Sequence, residues 1–290
     1  MEPQRYGPFP FTPINQRPKI SWPNGAQLAL WVIPNIEFVP LDAALPVAPD
    51  APLPNVPVWA GRDYGGRVGI YRIMEVLARH NIPGTVTLNS DACTDYPQVV
   101  EACVNLGWEF MGHNQTNARW LNTIPAETER DVIFDVLDTI ERFTGTRPRG
   151  WLGSALQETW HTLDYLVEAG CDFVADWIND DQPYLMDIGG RQLVSIPYSY
   201  EINGLPAFTQ HSRTADEFEQ MMRLQFDTLY REGAESGRVM AICLHPHIIG
   251  VPHRIACLDK ALEYICGHDG VWCATGSEIV DHYLSSGATF

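Results

Sequence analysis

Short uninterrupted apolar runs alternate along this chain with longer stretches in which apolar residues recur every three or four positions. The runs at 27–34 (QLALWVIP), 85–88, 108–112, 151–154, 173–175, 193–197, 239–244 and 271–274 read as strands buried on both faces, the signature of a parallel sheet. The stretches at 68–80, 96–106, 125–144, 159–169, 214–232, 255–268 and 276–285 read as helices. In 68–80, Ile70, Ile73, Met74, Leu77 and Ala78 share one face. Gly107 and Gly170 stop two of the helices, and the 125–144 helix is expected to begin with a cap near Thr123. Roughly seven strands alternating with helices predict a single α/β barrel, closed or distorted. A doubly wound open sheet is the competing fold, but the first strand is not followed by a glycine-rich phosphate loop. Residues 1–25, rich in proline and aromatics, predict an extended arm ahead of a barrel domain at 26–290. Residues 38–60 show no regular pattern and read as a lid, a rim or a contact surface.

Polar residues gather where the predicted strands stop. Asn35 and Glu37 leave the first strand on the same side, one residue apart. His113 and Asn117 follow the third. Asp176, with Asp180 and Asp181, follows the fifth, and Glu201 and Asn203 lie after the sixth. The run 239–244 ends in His245-Pro246-His247, with His253 a few residues on. A barrel strand that carries an imidazole into a proline-broken loop presents it at the rim where such folds place their sites, and imidazole transfers protons near neutral pH. Each residue alone has a plainer reading. Strand-end polar groups are often caps or turn formers. Glu37 suits a salt bridge to Arg62 or Arg72, His113 a hydrogen bond at a helix entry, and His247 or His253 a backbone contact. Together, a carboxylate and two imidazoles on one rim suit hydrolysis.

Composition narrows the partners. The 290 residues suffice for one large domain, and 45% apolar with 19% charged content is that of a globular chain. A net charge of −17 argues against nucleic acid and anionic membranes. Seven cysteines without a CxxC pair read as small buried hydrophobes in a reducing compartment. No apolar stretch approaches the roughly 20 residues of a membrane span. The first residues lack the pattern of a secretion signal, so the cytoplasm is the expected compartment.

Five stretches, RDYGGRVGIYR (62–72), TGTRPRGWLG (144–153), DWINDDQPY (176–184), YEINGLPA (200–207) and LHPHIIGVPHR (244–254), together with the order of the rim residues, resemble the polysaccharide deacetylase superfamily. The branch they resemble is the allantoinase-like and cyclic-imide-hydrolase-like one, over about 18–284. The resemblance implies a distorted (β/α)7 barrel and hydrolysis of a carbon–nitrogen bond other than a peptide bond. Where metal-dependent members have two aspartates after the first strand, this chain has Asn35 and Glu37; where they have an H-x-x-x-H pair, it has His113 and Asn117. Their arginine after Trp151 is here Leu152, and their late proton-donating histidine matches His245. The base and its arginine are thus lost together, and asparagine is a poor zinc ligand.

The resulting expectation is a hydrolase of a small cyclic amide, imide or ureide. Glu37, its pKa raised by burial, would activate water, with His113 sharing the work and His245 protonating the leaving nitrogen or stabilising the oxyanion. Asn35, Asn117, Trp151, Asp176, Glu201, Asn203 and His247 are expected to contact substrate. A metal-free site is favoured, with a single zinc on Glu37 and His113 as the alternative cofactor. The competing functions are a zinc-dependent N-deacetylase of an acetylated amino sugar and a non-catalytic binding protein on the same fold. The apolar residues of 1–25 and 38–60, among them Phe9, Phe11, Trp22 and Trp59, predict a homo-oligomer, dimer or tetramer, with these segments near the interface.

Overall fold

The structure, a computed structural model, describes residues 2–290. The first strand is the axis of the fold. β1 (Leu28–Ile36) is buried along its whole length. After it come β2 (Thr85–Leu88), β3 (Glu109–Gly112), β4 (Gly150–Trp151), β5 (Phe173–Val174), β6 (Tyr184–Ile188), β7 (Arg191–Ser195), β8 (Arg238–Leu244) and β9 (Val271–Cys273). The sheet runs β6-β7-β5-β4-β3-β2-β1-β8, with β9 paired to β1 as well. Every pairing is parallel except the β6–β7 hairpin. The lower half of β1 lies between β8 and β9, and its upper end, at Asn35 and Ile36, meets β2. Between β7 and β8 the sheet is not continuous; there the chain after β7 meets β8 through the bridge Asn203–Cys243, and Val239 N donates to the Asp181 carbonyl at 2.9 Å. The barrel is therefore of the distorted kind that the resemblance implies, the pattern itself allowing a closed or a distorted one, and its sheet does not close.

Helices cover the outside of the sheet: α1 (Val56–Tyr64), α2 (Ile70–Arg79), α3 (Ala92–Asp95), α4 (Pro97–Asn105), α5 (Glu129–Thr144), α6 (Thr162–Glu168), α7 (Gly204–Thr209), α8 (Ala215–Gly233), α9 (Pro246–Ile249), α10 (Ile255–Cys266) and α11 (Gly276–Ser285). None of the helices, among the described residues, is long and apolar enough to cross a membrane. Alternation along the strands sorts side chains into two cores. Leu28, Leu30, Val32 and Ile36 of β1 and Met240, Ile242 and Leu244 of β8 face the helices. Ala29, Trp31 and Ile33, with Val239, Ala241 and Cys243, fill the interior beside Met111, Leu152 and Phe173. Carried two residues further, the same parity turns Asn35, Glu37, His113 and His245 toward the barrel mouth.

The structure departs from the sequence pattern in three places. The segment expected to be irregular to residue 60 becomes helical at Val56, because the Asn55 side chain accepts from the Val58 backbone N–H and Pro57 suits a first turn. Helix α1 then runs through a π turn (Gly65–Gly69) into α2, placing Arg62 over the mouth. The hairpin partner β6 has no place in the predicted strand set. Its signal is the turn Gly189-Gly190, both at positive φ, which suits a two-residue hairpin loop. Helix α5 starts at Glu129, with no side-chain cap, rather than near Thr123.

The N-terminal arm lies on its own barrel. Arg17 donates to both carboxylate oxygens of Asp180 at 2.6 and 2.5 Å. The Trp22 indole donates to the Arg238 carbonyl at 2.9 Å, and Phe9 packs against Trp177 and Tyr184. Phe11 stays exposed.

One close approach fixes the loop after β8. A Cβ added at Gly69 would lie 2.1 Å from the Pro246 carbonyl oxygen, and one at Gly250 would lie 2.5 Å from the Gly69 Cα. The π turn and α9 thus touch backbone to backbone, which only glycine permits. Gly69→Ala is expected to cost about 1–3 kcal/mol through this overpacking. Urea unfolding would read the loss, and an unchanged midpoint would show that α9 can yield.

Candidate active site

Glu37, His113 and His245 arrive from three strand ends and meet below the surface, their side chains 7%, 3% and 5% exposed. His245 Nε2 lies 3.3 Å from Glu37 Oε1, and His113 Nε2 lies 3.6 Å from the same oxygen. The other carboxylate oxygen, Oε2, accepts from Arg62 Nη1 at 2.6 Å. Burial by itself would raise the Glu37 pKa. The charge of His245, the close approach of the His113 and His245 Nε2 atoms, and the charge of Arg62 outweigh it and hold the carboxyl well below its ordinary 4.5. This corrects the expectation that burial makes Glu37 a near-neutral base. The salt bridge to Arg62, the plainer reading, is the one present.

The histidine tautomer follows from its partner. His113 Nδ1 lies 2.6 Å from the Leu152 carbonyl oxygen, which can only accept. Nδ1 therefore carries the hydrogen, and in the neutral ring the lone pair sits on Nε2, facing Glu37. Nε2 is buried and has no hydrogen-bond partner among the described residues; nor does His245 Nδ1. His247, on α9, completes this side of the site with Arg62, Tyr96 and Pro246 around a space of about 20 Å³. Burial, with the charges of Arg62 and His245, pushes its pKa down to about 3, so His247 is a neutral lining group.

Other expected substrate contacts are occupied by the protein itself. The Asn35 amide donates to the Ile33 and Leu244 carbonyls and accepts from Thr87 Oγ1 and the Tyr198 hydroxyl. All its bonding capacity ties β1 to β8, β2 and the chain after β7. Asn117 Oδ1 accepts from Ser154 Oγ at 2.7 Å and from Asn89 Nδ2 at 3.4 Å. Trp151 belongs to the outer core, where its ring fills the space beside Gly112 and Leu137. Strand parity explains this, since Leu152 takes the interior position. Asn203 caps α7, accepting from Leu205 N at 3.0 Å. Glu201 is exposed and lines a separate cleft of about 720 Å³ at the open β7–β8 seam, with Asp181, Tyr198 and Leu224.

Asp176 has the parity of Val174 and turns away from the interior. Its Oδ1 accepts from Gly153 N at 2.7 Å, while Oδ2 is buried and finds no donor. Burial pushes its pKa up to about 7, and that of the adjacent Glu158 is raised well above the ordinary value by burial and by Asp176. A proton between the two carboxyls supplies the missing donor. Glu158 lies outside the set predicted from sequence, and nothing in the local pattern signals it.

Asn89 is the missed residue that the strand-end rule does find, since it directly follows β2. It is fully buried. Its Oδ1 accepts from Phe38 N at 2.8 Å, and its Nδ2 donates to the His113 carbonyl and toward Asn117. One amide thereby pins the residue after Glu37 to the backbone of His113.

A metal would need a donor set that these residues do not provide. No group of three His, Cys, Asp or Glu among the described residues is placed to hold an ion. Glu37 already neutralises a guanidinium, and the Asn117 oxygen is engaged. The arrangement does not fit the zinc of metal-dependent relatives, and its chemistry is that of two imidazoles sharing one ionised carboxylate.

No protein-family model matches the chain. A Schizosaccharomyces pombe protein that carries a polysaccharide deacetylase name is 28% identical, over 92% of this chain and 92% of its own. A peptidoglycan deacetylase of Helicobacter pylori is 23% identical over 76% of this chain and 85% of its own. Among solved structures, PuuE allantoinase superposes with a TM-score of 0.85 at 27% identity, covering 94% of this chain and 95% of its own. A Pseudomonas aeruginosa PAO1 protein that also carries a polysaccharide deacetylase name superposes with a TM-score of 0.85 at 26% identity, covering 95% and 97%. With likeness spanning nearly the whole length in both sequence and barrel geometry, these neighbours place the chain among proteins similar to the polysaccharide deacetylase superfamily of hydrolases.

Proposed function

We propose that this hydrolase opens a small cyclic amide, imide or ureide without a metal. The observation that carries the reading is the enclosed cluster itself: His113 and His245 meet Glu37 below the surface, and the space that Glu37 lines with Arg62, Tyr96 and His247 is only about 20 Å³, which suits a small molecule better than a polymer. Phe38 packs on Tyr96 beside that space and begins the segment 38–55, whose displacement would admit a ring-sized substrate. The likeness to PuuE allantoinase supports a ureide ring as the substrate class. A second reading, removal of an acetyl group from an amino sugar, draws on the deacetylase names of the S. pombe and H. pylori relatives.

In the proposed reaction, His113 Nε2 takes a proton from water as its oxygen adds to the carbonyl carbon. Held 3.3 Å from the Glu37 carboxylate, a protonated His245 is stabilised as an ion pair, and its Nδ1 has a proton to give to the leaving nitrogen. The carbon–nitrogen bond breaks, releasing a carboxylate or carbamate at one end of the opened ring and an amine or amide at the other. Glu37 itself accepts no proton. It orients both imidazoles and stabilises whichever is charged, the part a buried aspartate plays behind a catalytic histidine.

Incubated with cyclic ureides such as allantoin, with cyclic imides and with N-acetylated sugar oligomers, the purified protein is expected to open rings at a rate unaffected by a chelator. Acetate release without ring opening would overturn the substrate class. Stoichiometric zinc lost together with activity would overturn the metal-free mechanism.

His245→Ala is expected to lower kcat about a hundredfold or more, within the range for general acid–base groups. Its effect on stability has a definite sign. Because the Glu37 pKa is depressed on folding, its contribution is complete above about 4.5 and is lost as pH falls through the folded value. Removing His245 takes away the largest charge opposing burial, so this loss begins at higher pH. The acid-unfolding midpoint, followed by tryptophan fluorescence, should move up. Near wild-type turnover in a folded variant would refute the role of His245.

Asn89→Ala is expected to lower kcat about tenfold or more with KM little changed, since displacing an aligned base by a fraction of an ångström is costly. A rise in KM alone would assign Asn89 to substrate binding instead.

A further inference from the structure

Five of the seven cysteines are buried, and the two that are not lie against each other. Cys266 ends α10 and Cys273 ends β9; their sulfurs are 4.0 Å apart. The six residues between them, GHDGVW, include Gly267 and Gly270, the latter at φ +76°. The connection is short and contains two glycines, and the two partly buried thiols, 4.0 Å apart, are about 2 Å of sulfur movement short of a bond. We propose that Cys266 and Cys273 form a reversible dithiol–disulfide pair, a modification site at the foot of the barrel that is oxidised by a peroxide.

The chemistry assigns an order to the two sulfurs. Either sulfur can donate to the other; with Cys266 as the donor, the contact lowers the Cys273 pKa against the effect of burial and raises that of Cys266. Cys273 is therefore the better nucleophile. Its thiolate attacks one peroxide oxygen, the O–O bond breaks, and with one proton taken up the products are a sulfenic acid and water. Cys266 then attacks the sulfenic sulfur, loses its proton, and displaces the hydroxyl as a second water. The sum is two thiols and one hydrogen peroxide giving one disulfide and two waters.

The pair lies far from the catalytic mouth. Cys273 is in register with Leu30, seven residues before Glu37 along β1, or about 23 Å at about 3.3 Å per residue. Oxidation would tie the end of α10 to β9, next to the lower half of β1, and leave the cluster of Glu37, His113 and His245 untouched.

The test is to treat the folded protein with stoichiometric hydrogen peroxide, alkylate free thiols, digest without reductant and weigh the peptide that holds both cysteines. The expected product is unalkylated and lighter by about 2 Da, the two hydrogens lost, and dithiothreitol reverses the change. Cys266→Ser should stop at a sulfenic acid on Cys273 that a dimedone probe captures. Recovery of both residues alkylated, of sulfinic acids on either, or of a disulfide from either to another cysteine would overturn the proposal. Since the wild-type protein supplies the main measurement, the result does not hinge on the folding of a variant.

Discussion

An ionised carboxylate with almost no access to water is the constraint on which the upper half of this barrel depends. Glu37 cannot keep its charge at the end of β1 unless neighbouring groups replace the hydration it loses. Arg62, His113 and His245 do so, and they come from α1, β3 and β8, elements far apart in sequence. The charge thus dictates that α1 fold over the mouth and that the π turn carry it there. Alongside, α9 packs against the π turn closely enough for Gly69 and Gly250 to meet. Removing the carboxylate would leave a guanidinium and two imidazoles competing for a space that none needs.

The same charge divides the polar residues of the rim into two sets. Those facing Glu37 keep unsatisfied nitrogens, His113 Nε2 and His245 Nδ1. Those one step away are saturated by the protein, as the four hydrogen bonds of Asn35 and the contacts of Asn89 show. Unsatisfied buried groups are costly; others lie elsewhere, as at Trp31 Nε1 and Ser195 Oγ, but these two flank an ionised carboxylate and mark where a reacting molecule would complete the bonding. The Asp176–Glu158 pair is a different case, because a retained proton satisfies it from within.

Much of the fold was legible because strand parity and helix periodicity are local. β1, β2, β3 and β8 lie where the apolar runs placed them, and parity alone turns Glu37, His113 and His245 inward. What was not legible depends on partners distant in sequence. Glu37 could be read as a base or as half of a salt bridge until the position of Arg62 was known. Trp151 was misplaced because a two-residue strand leaves no run from which to read its face. Asn203 looked like a ligand because a cap and a binding group share the same chemistry. Asn89 follows the strand-end rule as clearly as Asn35 does, but its role rests on Phe38 and His113, partners that the local sequence does not show.

The neighbours of β1 have a consequence for the order in which the chain acquires its shape. The first strand pairs along its lower half with β8 and β9, whose residues lie more than two hundred positions later. During synthesis that strand must wait, apolar and unpaired, until 238–273 have emerged. Contacts so remote in sequence slow folding and leave the waiting segment prone to association with other chains. The arm just ahead of it, anchored through Trp22 to Arg238 and through Arg17 to Asp180, is subject to the same delay. The seam between β7 and β8, where the sheet is not continuous, is the place at which a late-arriving strand can join without displacing a paired neighbour.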